Sequence, residues 1–314
     1  MIRRSFLATG AAAALLPAAA RAQTLAAVRV STSPEEEAVA CLYAQQSGIF
    51  RRNGLDVTTT ANTSGAAISA AVAGGAFEIG KASLAGLIAA HVHGVGFTLI
   101  APASMYSATA PVAGTIVRGD SAIKTARDLA GKTVSVQSLK GFLQIATMNW
   151  IDGHGGDSNA VKYIELRPSA VAPALLAGRV DAATLANPSF AAALSGKRAR
   201  VLSYPCDSIG KYFLQAAYFC TTDYAAKNAD VVARFARSIA EASAYTNAHP
   251  GDTVDLIAAF TSVAAKDIVA MTRVTCGTKL DPAEIQPVVD VTAKYKIIPA
   301  TFDARDMIDP ALRS

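Results

Sequence analysis

The 314-residue chain carries 29 Lys and Arg residues against 24 Asp and Glu residues, a formal net charge of +5. Three of the arginines lie within the first 22 residues, which contain no acid, so the rest of the chain has 26 basic against 24 acidic residues. This near balance, and the lack of a basic run interleaved with aromatic residues, argue against a nucleic-acid partner. The remaining chain of about 290 residues exceeds one typical core and predicts two lobes.

The first 22 residues have the features of an export signal: a charged start, an apolar run and small residues before a cleavage site. Ala20-Arg21-Ala22 fits an A-x-A cleavage site, so Gln23 would begin the mature protein. The apolar run is shorter than the about 20 residues needed to cross a bilayer. Arg3-Arg4-Ser5-Phe6-Leu7 favours the twin-arginine route, with an ordinary secretory signal as the alternative. Both routes predict an exported protein in the periplasm.

Strand and helix patterns alternate along the chain, which predicts an α/β fold with parallel sheets covered by helices. Ser33 and Glu36 fit a capping box at the first helix, with Pro34 at its first position. The first predicted strands span 28–31, 55–60, 76–80 and 97–101, and the helices between them span 33–47, 64–74 and 83–91. The next predicted strands span 111–117, 133–137, 161–165, 182–185 and 201–203, with helices over 124–129, 138–150 and 169–177.

The final third of the chain differs in character. Residues 211–220 are rich in apolar and aromatic side chains, and the chain is mainly helical from residue 222 onward, with a helix predicted over 230–247. We therefore predict a first lobe of 23–104 plus 213–314 and an inserted second lobe of 105–212. Two crossings between lobes form a hinge, and hinged lobes close on ligands.

Four motifs resemble a known family. Gly48-Ile49-Phe50 is followed by Gly54-Leu55-Asp56-Val57, and Asp120-Ser121-Ala122-Ile123 by Asp128-Leu129-Ala130-Gly131-Lys132-Thr133-Val134. Gly178-Arg179-Val180-Asp181-Ala182 and a segment beginning at Thr222-Asp223-Tyr224 come later in the chain. In this order, the motifs resemble those of the periplasmic solute-binding proteins for sulfonates, taurine, nitrate and thiamine-precursor pyrimidines.

The resemblance implies the type II periplasmic-binding-protein fold, in which two Rossmann-like lobes hold a small molecule in the cleft between them. It also implies a transient partnership with an ABC permease and its ATPase, which would receive the cargo. We expect a monomer with no cofactor, no metal and no catalytic residue. A periplasmic sensor that presents its ligand to a receptor would use the same cleft and stays open as an alternative.

Members of this family place ligand contacts where strands end and helices begin, and helix N-termini suit anions. The resemblance therefore implies ligand contacts at the strand ends: Ser64, Gly65, Ala82, Ser83, Gln137, Ser138 and Asn187. We also expect Ser33, Lys140 and Gly141, in the adjoining loops, to contact the ligand. Tyr106 and Phe213 lie near the predicted hinge, where either ring would stack on a ligand or pack in the core.

Simpler roles compete with ligand binding at several of these positions. Ser64 and Ser138 would also serve as helix caps. The Glu35–Glu37 run is expected to complement a helix dipole, with binding of a ligand amine as the alternative. Lys81 and Lys140 are expected to be solvated surface charges. The two hydroxyl-bearing helix starts with lysines nearby favour a small organic anion such as a sulfonate or carboxylate, and a pyrimidine or another aromatic cargo stays open.

Catalytic motifs are lacking. Gly131-Lys132-Thr133 has Ala126 where a phosphate-binding loop needs its first glycine, and no G-x-S-x-G, H-E-x-x-H or G-x-G-x-x-G occurs. A pyrimidine-forming enzyme related to this family is an alternative that the export signal and scattered cysteines disfavour. Export permits disulfides, and Cys206 and Cys220 are a conceivable pair, although isolated buried thiols are the competing expectation.

Overall fold

The computed structural model describes residues 24–62 and 64–313. The predicted export signal lies outside these residues. The strands are β1 Ala26–Thr32, β2 Leu55–Ala61, β3 Ile79–Ser83, β4 Phe97–Ser107, β5 Ala113–Arg118, β6 Thr133–Val136, β7 Lys162–Glu165, β8 Ala182–Ala186, β9 Ala199–Ser203, β10 Tyr212–Thr221 and β11 Thr275–Cys276.

The helices cover both sheets. They are α1 Val39–Gln46, α2 Ile49–Arg52, α3 Gly65–Ala73, α4 Leu84–Val92, α5 Phe142–Gly153, α6 Pro168–Leu176, α7 Ser189–Ser195, α8 Thr222–Lys227, α9 Ala229–Ala248, α10 Val254–Thr261, α11 Ala265–Ala270 and α12 Pro282–Lys294. Within the described ranges, no helix combines the length and apolar character that a bilayer crossing requires.

Two separate sheets share one strand order. The first sheet runs β2-β1-β3-β10-β4-β11 and the second runs β7-β6-β8-β5-β9. In each sheet three parallel strands precede an antiparallel strand, β10 in the first and β5 in the second. The chain passes from β4 of the first sheet into β5 of the second, and from β9 of the second sheet into β10 of the first. The antiparallel strands β5 and β10 are therefore the first strands after each crossing between the sheets.

Apolar side chains cover both faces of each sheet. On one face of the first sheet, Phe50 and Phe235 stack with ring centroids 5.4 Å apart, and the Tyr218 ring meets Phe235 edge-on. The other face packs α3, α4 and α12, and it also takes up Ile145 and Ala146 of α5 from the second sheet's helical layer. The lobes are therefore joined by side-chain packing as well as by their connecting strands.

The first helix begins differently from the prediction. A 3₁₀ turn, Glu36–Ala38, precedes α1, and neither start has a side-chain cap. The hydroxyl of Ser33 donates to the carboxylate of Glu35 at 2.7 Å, and Glu36 points into the interior. The predicted capping box is therefore wrong, because both of its side chains have tertiary or local partners other than the backbone.

Two other segments depart from their predictions. β4 continues for 11 residues, well beyond the short strand predicted over 97–101, because β10 pairs with it along its length. The helix predicted to open at Ser138 begins only at Phe142, after Gly141 as the N-cap residue. Residues 137–141 thus form a loop that projects from the end of β6.

The four cysteines are buried and unpaired in the structure. Burial raises the pKa of Cys41, Cys220 and Cys276 to about 12 and also raises the pKa of Cys206. The proposed pairing of Cys206 with Cys220 is therefore not formed, and each thiol behaves as a small apolar side chain.

We expect a thiol reagent such as DTNB at pH 8 to label none of the cysteines of the native protein and all four after denaturation without reductant. The native thiols resist because burial excludes the reagent and disfavours the reactive thiolate. Denatured protein that shows only two thiols would contradict the structure and indicate a disulfide.

Candidate functional site

Polar residues stand at the carboxyl ends of the parallel strands of each sheet. In the first sheet this edge carries Ser33, Asn62 and Ser83, which follow or end β1, β2 and β3. In the second sheet it carries Gln137 after β6 and Asn187 after β8. Such edges are where open α/β sheets bind ligands.

A buried lysine is the central charge at the edge of the first sheet. Lys81 lies on β3 between β1 and β10, with only 1% of its side chain exposed. Its ammonium is 3.0 Å from Glu35 Oε2 and 2.7 Å from Glu37 Oε2. The hydroxyl of Ser104 donates to the other oxygen of Glu37 at 2.9 Å. We call Glu35, Glu37 and Lys81 the carboxylate–lysine cluster.

Two carboxylates and one ammonium give the cluster a formal charge of −1. The positive charge of Lys81 lowers the pKa of Glu35, and hydrogen bonds from Ser33 and Lys81 act in the same direction. Burial alone would lower the pKa of Lys81, but the charges of Glu37 and Glu35 outweigh it and raise this pKa. The prediction that Lys81 is a solvated surface charge is therefore wrong, because two carboxylates take the place of the water that would hydrate its ammonium.

The residue between the two carboxylates faces the opposite way. Glu36 is buried and accepts hydrogen bonds from the guanidinium of Arg273 and the backbone N–H of Val274. Burial raises the pKa of Glu36, and the hydrogen bond and charge of Arg273 oppose this rise. Arg273 also donates to the carbonyl oxygen of Pro250 and to the hydroxyl of Thr253. This pair anchors the 3₁₀ turn to the C-terminal half of the same lobe.

The hydroxyls of two predicted site serines cap helices. Ser64 accepts a hydrogen bond from the Ala67 N–H at the start of α3, and Ser83 accepts one from the Gly86 N–H at the start of α4. Both serines are exposed at the sheet edge. Gly65 and Ala82 bring these two helix starts together, because a Cβ on Gly65 would lie 3.9 Å from the Cβ of Ala82. The side chain of Ala82 is buried in the core.

The loop after β6 supplies the facing residues of the second sheet. Gln137, Ser138 and Lys140 are exposed, and the side chain of Gln137 is near enough to Glu35 to lower its pKa. Ser138 makes only a weak contact with the adjacent carbonyl of Leu139 and does not cap α5. Gly141 stands before α5 in extended conformation, and no side chain caps this helix.

Asn187 bridges the two lobes. Its side-chain N–H₂ donates to the carbonyl oxygen of Thr272 at 2.7 Å, and its side-chain oxygen accepts from the Ala191 N–H. Thr272 precedes β11 of the first sheet, and Ala191 of α7 packs against the core of the first lobe. Asn187 therefore makes a direct hydrogen bond between the lobes.

Tyr106 and Phe213 belong to the core. Neither ring has measurable exposure, and the two rings stack on each other with centroids 5.0 Å apart. The hydroxyl of Tyr106 donates to the carboxylate of Asp207. The prediction that they stack on a ligand is wrong, because β4 and β10 pair through these residues and turn both rings inward.

Sequence reasoning missed one further residue at this edge. Gln215 lies at a bulge of β10, next to Ala216, which pairs with Ser83 on one side and Ser104 on the other. Gln215 is 7% exposed, and its side-chain oxygen has no hydrogen-bond partner within the part of the chain that the structure describes. Its position in an apolar, aromatic run concealed it in the sequence.

Comparison with known proteins agrees with this geometry. The family described as NMT1/THI5 like matches residues 36–253, more than half of the chain. The chain belongs to the NMT1/THI5-like family. No curated protein sequence matches it.

Solved structures show the same fold. The chain resembles the periplasmic aliphatic sulphonate-binding protein SsuA of Escherichia coli, with a TM-score of 0.74, 20% identity and coverage of 90% of this chain and 92% of that one. It resembles the alkanesulfonate-binding SsuA of Xanthomonas axonopodis pv. citri bound to MOPS, with a TM-score of 0.71, 16% identity and coverage of 90% and 98%.

A third match is the periplasmic nitrate-binding protein NrtA of Synechocystis PCC 6803, with a TM-score of 0.74, 11% identity and coverage of 91% and 86%. At these identities the likeness establishes the architecture. The two-lobed periplasmic-binding-protein fold expected from the motifs is confirmed.

We expect Lys81→Met to destabilise the protein by about 1–3 kcal/mol at pH 7, because Glu35 and Glu37 lose their shared counter-ion. This is less than the cost of breaking a fully buried pair, since 38% of Glu35 and 29% of Glu37 remain exposed. Denaturant unfolding would measure the change, with exposed Lys266→Met as the control.

The same variant tests the pH dependence. A lowered pKa of Glu35 means that its contribution to stability is present above its unfolded pKa of about 4.3 and is lost as pH falls through the lower folded value. The variant lacks that contribution, so the difference in Tm between the two proteins should shrink below about pH 4. A constant difference down to pH 3 would argue against the cluster.

We expect Asn187→Ala to weaken the closed arrangement of the lobes by about 1 kcal/mol, which is a typical net value for one hydrogen bond. Small-angle scattering should show a larger average radius of gyration than for the parent protein. The control is Asn159→Ala, at an exposed asparagine in the second lobe. An unchanged radius would show that this hydrogen bond does not contribute to closure.

Proposed function

We propose that this protein captures a small molecule in the cleft between its two lobes and delivers it to an ABC permease in the bacterial envelope. Membership of the NMT1/THI5-like family supports this proposal, and so does the likeness to periplasmic sulfonate- and nitrate-binding proteins. The observation that carries it is the contact between the lobes at the polar strand ends, where Asn187, after β8, donates to the carbonyl oxygen of Thr272 in the first lobe.

The hinge supports a binding role. Two connections join the lobes, β4 to β5 and β9 to β10, and this arrangement permits a rigid-body opening and closing motion. Hydrogen bonds such as that of Asn187 form only when the lobes are close together. A cargo that touches both lobes would add to these contacts and shift the population toward the closed form.

The cysteines give no support to a nucleophilic enzyme on this fold. A catalytic thiol needs access to substrate and a lowered pKa, whereas all four thiols are buried with raised pKa values. We therefore propose that the cargo is bound and released unchanged, with the periplasm as the place of capture. The candidate cargoes from the sequence are small organic anions and pyrimidine or other aromatic molecules.

A thermal-shift screen tests the binding role. A true cargo at 100 times its Kd should stabilise the protein by about 2.7 kcal/mol, which raises Tm by several degrees. The screen would include sulfonates, nitrate, carboxylates, pyrimidines and amines. Ser138→Ala should reduce the shift if the loop after β6 contacts the cargo, and Ser195→Ala, at an exposed serine in the same lobe, should not.

Delivery requires a second assay. The cargo-loaded protein should stimulate ATP hydrolysis by its partner permease in liposomes, and the cargo-free protein should stimulate it less. A protein that binds no member of these classes would count against the proposal. Binding without any stimulation of transport would favour the sensor role over delivery.

A further inference from the structure

The charge at the interlobe edge is opposite to the charge that an anion site needs. The carboxylate–lysine cluster contains two carboxylates and one ammonium, so its net charge is −1. The cluster lies near the lobe interface, because Glu36, between its two carboxylates, binds Arg273, and Asn187 of the second lobe donates to the neighbouring Thr272. An anion placed there would meet a negative surface.

Lys81 is unavailable to an incoming anion. Its side chain is only 1% exposed, and two of its three N–H donors are directed at Glu35 and Glu37. A sulfonate or nitrate would have to displace a carboxylate from its buried counter-ion, which is costly because the ammonium has no water to replace the lost contact. The lysine therefore orients carboxylates and does not receive an anion.

The same cluster keeps part of its carboxylate surface exposed. Glu35 and Glu37 have 38% and 29% of their side chains exposed. Each carboxylate oxygen has two lone pairs, and Lys81, Ser33 and Ser104 use only some of them. The hydroxyls of Ser33 and Ser104 donate to these carboxylates, so the hydrogens of both hydroxyls are already used within the protein.

Gln215 is an independent observation that favours a cargo with hydrogen-bond donors. Its side-chain oxygen is an acceptor that is buried and unpartnered within the described residues, next to the strand positions paired with Ser83 and Ser104. A buried acceptor without a donor is destabilising, so a donor from outside the protein would be favoured there.

The facing residues of the second sheet carry charges of both signs. The loop after β6 carries Lys140, and its Leu139 N–H donates to the carboxylate of Glu165 at 3.1 Å. Arg167, the N-cap residue of α6, is exposed two residues further along the chain. The excess of carboxylate over ammonium is therefore a property of the carboxylate–lysine cluster itself.

We propose that the cargo carries an amine that is cationic at neutral pH and that this amine binds at Glu35 and Glu37. The inference rests on the proposed binding function and identifies the chemical class of its ligand. It differs from the anion that hydroxyl-bearing helix starts and nearby lysines favour in the sequence, and from the sulfonate and nitrate named for the similar structures.

The experiment compares ligands that share a size and differ in charge. Benzylamine, benzyl alcohol, benzoate and benzenesulfonate form one matched set, and butylamine, putrescine, butyrate and butanesulfonate form a second, with nitrate added. Binding to the purified protein is measured by thermal shift and then by calorimetry. We expect the amines to stabilise the protein and their anionic counterparts to bind at least about tenfold more weakly.

Charge-neutralising variants assign the site. Glu37→Gln keeps an oxygen for Lys81 and places an N–H₂ group opposite the Ser104 hydroxyl, which can accept from it. It should weaken amine binding by about tenfold to a hundredfold, the value of a hydrogen bond to a charged group. Glu78→Gln is the matched control, because Glu78 pairs with Arg29 at the amino end of β3, about 16 Å along the strand from its carboxyl end. Circular dichroism and Tm verify folding, and Glu35→Gln makes the same test should Glu37→Gln fail to fold.

The outcomes separate the two proposals. Amine binding that is lost in Glu37→Gln and retained in Glu78→Gln supports the inference. Tight binding of a sulfonate, carboxylate or nitrate, or amine binding unchanged by both cluster variants, overturns it and leaves the binding function standing. Failure of all these compounds, and of the wider screen, overturns the binding function and the inference with it.

Discussion

The interlobe edge depends on the burial of a single lysine. An ammonium removed from water is stable only if carboxylates replace its hydration, and Lys81 obtains Glu35 and Glu37 from the segment that follows β1. Glu36, between them, turns inward to Arg273. Three successive glutamates thereby tie one short turn to β3 on one side and to the C-terminal half of the lobe on the other.

This arrangement places charge where the two sheets meet. The same strand order occurs in both sheets, and the cluster lies at the carboxyl ends of the parallel strands of the first. Asn187 and the packing of α5 on the first lobe hold the two lobes together.

The sequence was informative about the fold for a specific reason. Hydrophobic periodicity and turn residues are local signals, so the alternation of strands and helices, the long helix near residues 230–247 and the loop glycines could be predicted. The family motifs added the architecture. The capping box at Ser33 and Glu36 was predicted wrongly, because a local pattern says nothing of an arginine 237 residues away.

Prediction of the site was weaker at the residues whose roles depend on distant partners. Ser64, Ser83 and the loop from Gln137 to Gly141 lie at the expected strand ends, since the end of a strand can be read from the chain itself. Tyr106 and Phe213 were placed at the cleft because they lie near the hinge, yet strand pairing turned them into the core. Nothing local distinguishes an inward from an outward ring on such a strand.

By itself, the sequence determined the α/β class, the pattern of elements and the family, all of which follow from short-range periodicity and motif spacing. Only the tertiary structure decided that Lys81 is buried between two glutamates, that Gln215 retains an unpartnered oxygen and that Asn187 joins the lobes. Each of these facts is a relation between residues far apart in the chain. Burial and charge pairing depend on residues being close in space, so they exist only in the folded chain.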